Sequence, residues 1–136
     1  MFFNFRKTKV TISALILSTF FTFSQVAFAS DLGYKKFCDT KTSKCGFKDK
    51  NGKIVIPATF DSVSNFSEDL AKVGKITPTN KDAAKYGFIN TSGKIVIPMA
   101  FDSASDFSGG FAQVSQGKYP NIKNFTINKN GDIVNK

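Results

Sequence analysis

Along residues 44–134, hydrophobic and polar positions alternate in short runs, and the runs repeat. In Lys44 to Asp49, Cys45 and Phe47 share one side while Lys44 and Lys48 take the other; in Lys85 to Asn90, Tyr86 and Phe88 share the corresponding side. Alternation with a period of two marks a half-buried strand. Each run ends in a turn, Asp49-Lys50-Asn51-Gly52 or Asn90-Thr91-Ser92-Gly93. Asp or Asn opens such a turn by hydrogen-bonding nearby backbone, and Gly52 or Gly93 supplies a positive φ at its exit, so a tight hairpin with a bulge is predicted. The return strands are Lys53-Ile54-Val55-Ile56 and Lys94-Ile95-Val96-Ile97. Their β-branched residues on both faces predict cover on both sides. Pro57 and Pro98, with no N–H to donate, are expected to stop the ladder. A loop with fixed aromatic positions follows, carrying Phe60 and Phe66 in one copy and Phe101 and Phe107 in the other. These rings are expected to plug the hydrophobic face of their own hairpin. A closing strand then runs over Leu70 to Gly74, or Phe111 to Ser115, with Ala71 and Val73, or Ala112 and Val114, on one face.

The two copies are displaced by 41 positions, and Lys44–Val73 and Lys85–Val114 agree at 17 of 30 sites without a gap. A fixed period of this kind means one supersecondary unit used again. A third, degenerate copy ends the pattern: Phe125-Thr126-Ile127-Asn128 leads through Lys129-Asn130-Gly131 to Asp132-Ile133-Val134, with the same turn formula and Gly131 at its exit. It reads as a terminal cap, which repeat arrays need because their end units face solvent. The predicted fold is all-β: tandem three-stranded antiparallel repeats with a terminal β-hairpin, after a cleaved signal peptide. The segments are 1–29 signal, 30–43 polar lead-in, 44–84 first repeat, 85–122 second repeat and 123–136 terminal hairpin. Gly74 to Ala84 and Gln116 to Ile122, which carry Pro78 and Pro120, are expected to be exposed inter-repeat loops.

Residues 1–29 have the form of a secretory signal. Arg6, Lys7 and Lys9 precede an apolar stretch from Val10 to Phe23, and Ala27-Phe28-Ala29 is a small-x-small site that places the cut before Ser30. Val10 to Ala29 is just long enough for a membrane anchor, but its Thr, Ser and Gln residues dilute it. The expected location is therefore periplasmic or secreted, with no membrane span after cleavage. Removing the leader lowers the net charge from +9 to +6. That excess suits a soluble lysine-rich surface or attraction to an anionic envelope surface. Nucleic acid is disfavoured, because no Arg follows Arg6 to read guanine bidentately and the lysines are dispersed. Cys38 and Cys45 are the only cysteines. An exported chain with an even count predicts a disulfide between them. A metal site lacks histidine and further cysteine, and the spacing is not Cys-x-x-Cys.

With these elements assigned, "CGFKDKNGKIVIPATFDSVSNFSEDLAKV" and "YGFINTSGKIVIPMAFDSASDFSGGFAQV" resemble bacterial WG repeats, also called KWG repeats. That pattern has an aromatic-Gly dipeptide, a Gly turn, an "IVIP" strand, an aromatic-Asp step and a "Phe-Ser-x-Gly-Leu-Ala-x-Val" close. Cys45 stands where the aromatic is expected, so a disulfide replaces a ring in the first repeat. Asp69 stands where the close usually has Gly, whereas Gly110 fits. The resemblance implies a β-rich, often exported interaction scaffold and supplies no catalytic residues, cofactor or metal.

The residues themselves agree. Asp61 and Asp102 are a possible carboxylate pair, but equivalent positions lie one unit apart, which predicts turn capping instead. Asp49 to Gly52 lacks the later ligands of a calcium loop. Without histidine no Ser-His-Asp arrangement exists, and no motif supports a Ser-Lys dyad for Ser62, Ser67, Ser103 or Ser108. Asn65, Asn90 and Asn124 begin formal glycosylation sequons, which mean nothing in a bacterial host. Tyr34, Tyr119 and the loop lysines are expected to form an exposed surface for an envelope protein or polysaccharide. The function expected is a non-catalytic interaction or binding module, with a secreted inhibitor or immunity-like protein as the alternative.

Overall fold

The computed structural model describes residues 32–135, which hold eleven strands: β1 Lys35–Cys38, β2 Cys45–Lys48, β3 Ile54–Phe60, β4 Ser62–Val63, β5 Leu70–Thr77, β6 Asn80–Asn90, β7 Ile95–Phe101, β8 Ser103–Ala104, β9 Phe111–Gln116, β10 Lys123–Asn128 and β11 Ile133–Asn135. The leader assigned to residues 1–29 lies outside the described residues. Among the described residues, no helix is long and apolar enough to cross a membrane.

The strands form three antiparallel sheets, β1-β2-β3, β4-β5-β6-β7 and β8-β9-β10-β11. Each repeat contributes its three main strands in the predicted order, but its closing strand pairs onward. β5 of the first repeat is the neighbour of β6 in the second, and β9 of the second is the neighbour of β10 in the terminal hairpin. The lead-in holds the same element. β1 pairs with β2 as β5 pairs with β6: Lys36 lies opposite Phe47 as Lys72 lies opposite Phe88. Gly33 before β1, Asp69 before β5 and Gly110 before β9 share a left-handed φ of 61°, 70° and 85°. Residues 30–43 therefore contain the closing strand of a fractional unit.

The β2–β3 and β6–β7 hairpins each carry a wide bulge. Between Phe47↔Ile56 and Cys45↔Phe60, two steps on β2 oppose four on β3; Phe88↔Ile97 and Tyr86↔Phe101 repeat this on β6 and β7. This corrects the expectation that Pro57 and Pro98 end the ladder. The prolines fall in the bulge, where no N–H is required, and the strands run on to Phe60 and Phe101. The bulge brings the Ile-Pro backbone onto Gly46 and Gly87. A Cβ at either glycine would collide with the Ile56 or Ile97 carbonyl oxygen. The expectation of a loop over Gly74 to Ala84 is also corrected. β5 runs to Thr77 and β6 begins at Asn80, joined through Pro78-Thr79, so the proline sits in a hairpin turn. The loop expected over Gln116 to Ile122 is present after β9 and begins at Gly117.

Two cores result. The first joins Phe47, Ile56 and Phe60 with Ala71 and Val73 of β5 and Ile89 of β6. The second joins Phe88, Ile97 and Phe107 with Ala112 and Val114 of β9, Ile127 of β10 and Leu70. The loop phenylalanines do cover their own hairpins: Phe66 lies 4.7 Å from Phe47 between centroids, and Phe107 lies 4.8 Å from Phe88 in an edge-to-face arrangement. Each core also takes one isoleucine from the following hairpin. At the equivalent place in the first hairpin stands Lys48, which covers the Phe37 ring at 4.5 Å. In the return strands Ile56 and Ile97 are buried, and Val55 and Val96 on the opposite face are partly buried against the two cores. Ile54, Ile95 and Ile133, at the strand starts beside the turns, are 53%, 47% and 53% exposed.

Candidate functional site

Three turn cassettes place the hairpins. Asp49 Oδ1 accepts the Asn51 and Lys53 N–H groups at 2.8 and 3.0 Å; Asn90 Oδ1 accepts those of Ser92 and Lys94 at 3.1 and 3.0 Å; Asn128 Oδ1 accepts those of Asn130 and Asp132, both at 3.0 Å. Gly52, Gly93 and Gly131 close them with φ of 85°, 85° and 88°. The predicted turns, including the Asp49 turn weighed against a calcium loop, are thus built from side-chain to backbone hydrogen bonds. Among the described residues, no group of three or more acidic, His or Cys side chains is placed to hold a metal.

Asp61 and Asp102 are brackets between strands rather than local turn caps, which corrects that expectation. Asp61 accepts a hydrogen bond from Lys44 Nζ and another from the Ile76 N–H at 2.8 Å. Asp102 does the same with Lys85 Nζ and the Gly117 N–H at 2.9 Å. The lysine hydrogen bond first, then the backbone N–H, holds each carboxyl below its usual range, against the opposing effect of partial burial. Neither carboxylate is free for acid/base work.

Just beyond the brackets, one register position differs in each copy. Cys38 faces Cys45, Gly74 faces Tyr86, and Ser115 faces Asn124. Cys38 and Cys45 form the predicted disulfide. In the next repeat the Tyr86 ring instead lies across Gly74, so close that a Cβ there would stand 2.8 Å from Tyr86 Cε1. The cystine replaces a Gly–Tyr contact.

Beside this contact is a polar groove of about 440 Å³, lined by Lys36, Ser62, Lys72, Tyr86, Asp102 and Ser103 among others. Lys72 is anchored there: its Nζ donates to the Ala104 carbonyl at 3.1 Å and lies 3.5 Å from Asp106. A second hollow of about 380 Å³ lies beside Glu68 and Lys129. Two of its charges are engaged with each other, since Glu68 accepts the Gly110 N–H at 2.9 Å and lies 3.5 Å from Lys129; Asp69 also lines it.

The sequence profile of the WG containing repeat matches residues 46–75 and 86–119. The chain belongs to the WG-repeat family. No curated protein and no solved structure matches it significantly. Within its WG repeats, the aromatic-Gly step is the part whose purpose was missed. Gly46 and Gly87 admit the bulge, and the residue before each faces the preceding closing strand. The repeated Lys-to-Asp spacing, Lys44 to Asp61 and Lys85 to Asp102, was the available sign of the brackets.

The two tyrosines do not share the expected role. Tyr119 is 89% exposed in the loop after β9. Tyr34 is half-buried against the first core, 5.8 Å from Phe66 in an edge-to-face contact. Tyr34 is corrected to a packing residue, because it occupies the position that Leu70 fills beneath the next repeat. The signal was legible: Gly33-Tyr34-Lys35-Lys36-Phe37 follows the pattern of Asp69-Leu70-Ala71-Lys72-Val73.

Proposed function

We propose that this WG-repeat protein is an exported, non-catalytic binding scaffold of the periplasm or cell envelope. The observation that carries the reading is the division of labour among its polar groups. The repeated carboxylates and turn residues are consumed in holding strands together, while one groove between repeats keeps hydroxyls and an ammonium that no other described residue engages. The Cys38–Cys45 disulfide supports export, since such bonds persist in oxidising compartments. N-terminal sequencing of protein from envelope fractions is expected to begin at Ser30, and the purified protein to retain an envelope component in a pull-down. Recovery of chains beginning at Met1 from that fraction, or retention of nothing, would sink the proposal.

A second reading, an inhibitor that blocks a partner protein, is favoured by Tyr119 at the tip of the loop after β9, 89% exposed. It predicts co-purification with one enzyme, inhibition of that enzyme, and loss of both on Tyr119→Ala.

A further inference from the structure

We infer that the groove beside Tyr86 binds an acidic polysaccharide; the inference rests on the scaffold reading and names its ligand class. The groove is built twice over. Lys36 opposes Phe47 of the first repeat as Lys72 opposes Phe88 of the second. Ser62 and Ser103 are equivalent residues one period apart, and all four line the same groove. Two lysine–serine sets in the same order match a polymer that presents the same group at regular intervals.

The chemistry of the sets selects the polymer. Among the described residues, no hydrogen bond or ion pair engages the Ser62 and Ser103 hydroxyls, the Tyr86 phenol or the Lys36 ammonium. All of these groups donate to carboxylates and to sugar hydroxyls, and the Ser and Tyr hydroxyls also accept from sugar hydroxyls. The sets differ in one respect. Asp106 lies beside Lys72, but its equivalent in the first repeat is Asn65, so among the described residues no carboxylate neutralises Lys36. Asp102, the acid in the lining, is held by Lys85 and the Gly117 N–H. The groove therefore keeps one uncompensated cation among hydroxyls. Its volume of about 440 Å³ is within the range of small-ligand sites, enough for a short stretch of sugar chain. A net charge of +6 on residues 30–136 attracts an acidic chain at long range.

The test is calorimetric titration of the protein, purified in the form in which it accumulates in cells, with hexamers of galacturonate, mannuronate and hyaluronan. Binding to at least one is expected, weakening as salt is raised. Lys36→Ala should weaken it about tenfold, the scale of one charge-assisted hydrogen bond. The Ser62→Ala/Ser103→Ala pair should weaken it further, and Tyr86→Phe, which keeps the ring over Gly74, reports the phenol alone. Lys53→Ala removes the same charge from an exposed turn outside the groove and should leave affinity unchanged. The inference is overturned if no hexamer binds, if cellohexaose or a single-stranded oligonucleotide binds as tightly, or if Lys36→Ala and Lys53→Ala behave alike. An envelope partner still retained by the Lys36→Ala protein, with no glycan bound, removes the polysaccharide and leaves the scaffold. Glycan binding by a chain that never leaves the cytoplasm removes the exported scaffold and leaves the groove.

Discussion

Gly52 and Gly93 occupy the same place in two copies of one turn, with the same φ of 85°, yet they do not have the same surroundings. A Cβ at Gly52 meets nothing within 4 Å, whereas one at Gly93 stands 3.3 Å from Ile56 of the preceding repeat. Gly52→Ala is expected to cost about 1 kcal/mol, the strain of a left-handed Ala. Gly93→Ala adds the displacement of a core isoleucine, for a total of roughly 2 kcal/mol. Equal losses in urea titrations would mean that turn and preceding core are not in contact. Gly46 is different again, since the obstacle there is backbone on the bulge, which cannot step aside. Gly46→Ala should cost at least about 3 kcal/mol, comparable with Phe88→Ala at about 3–5 kcal/mol. A small loss at Gly46 would disprove the wide bulge.

At the scale of strands, β1 is tied to β2 by the cystine, where β5 meets β6 through Gly74 and Tyr86. The short loop closed by the Cys38–Cys45 disulfide gives a chain-entropy contribution of roughly 2.5 kcal/mol. A Cys38→Gly/Cys45→Tyr protein should recover much of what Cys38→Ser/Cys45→Ser loses, because it restores the contact used one repeat later. A double variant no better than the serine pair in thermal melts would refute that equivalence. The elements themselves were legible from period-two alternation and the Asn/Asp-to-Gly turns, because those signals are local. Strand pairing across repeats was not, since nothing within Leu70–Gly74 states which neighbour it will take. Pro57 misled for a related reason: its missing N–H matters only where the register demands a donor, and register is a property of two strands together. Of the candidate site, Tyr119 could be placed from its proline-containing loop. Tyr34 could not be placed without recognising the first β1 residues as a worn copy of the repeat. The groove draws on β1, β4, β5, β6 and β8, so no contiguous stretch announces it.

Across the whole chain, the two Lys–Asp brackets make stability respond to acid. Both Asp61 and Asp102 have folded-state values lowered from 3.8, so the unfolded chain binds protons more readily as pH falls. Their contribution is present above the unfolded value and lost as pH drops through the lower folded one. The urea midpoint should be level above about pH 5 and fall below about pH 4, less steeply in Asp61→Asn/Asp102→Asn. An identical fall in that variant would assign the acid sensitivity elsewhere. The onward pairing of each closing strand has a different kind of consequence, for inheritance. A repeat need not be copied from its first residue to its last. Because every hairpin receives a strand from whatever precedes it, a duplication of one 41-residue period at another phase still hands each sheet its missing edge. A second copy of residues 74–114 inserted after Val114 should add a third core and raise the urea m-value by about 40% in one transition. A separate second transition would show units that fold apart. The array can lengthen or shorten by recombination at any point in its period, and natural selection is left to adjust the ends.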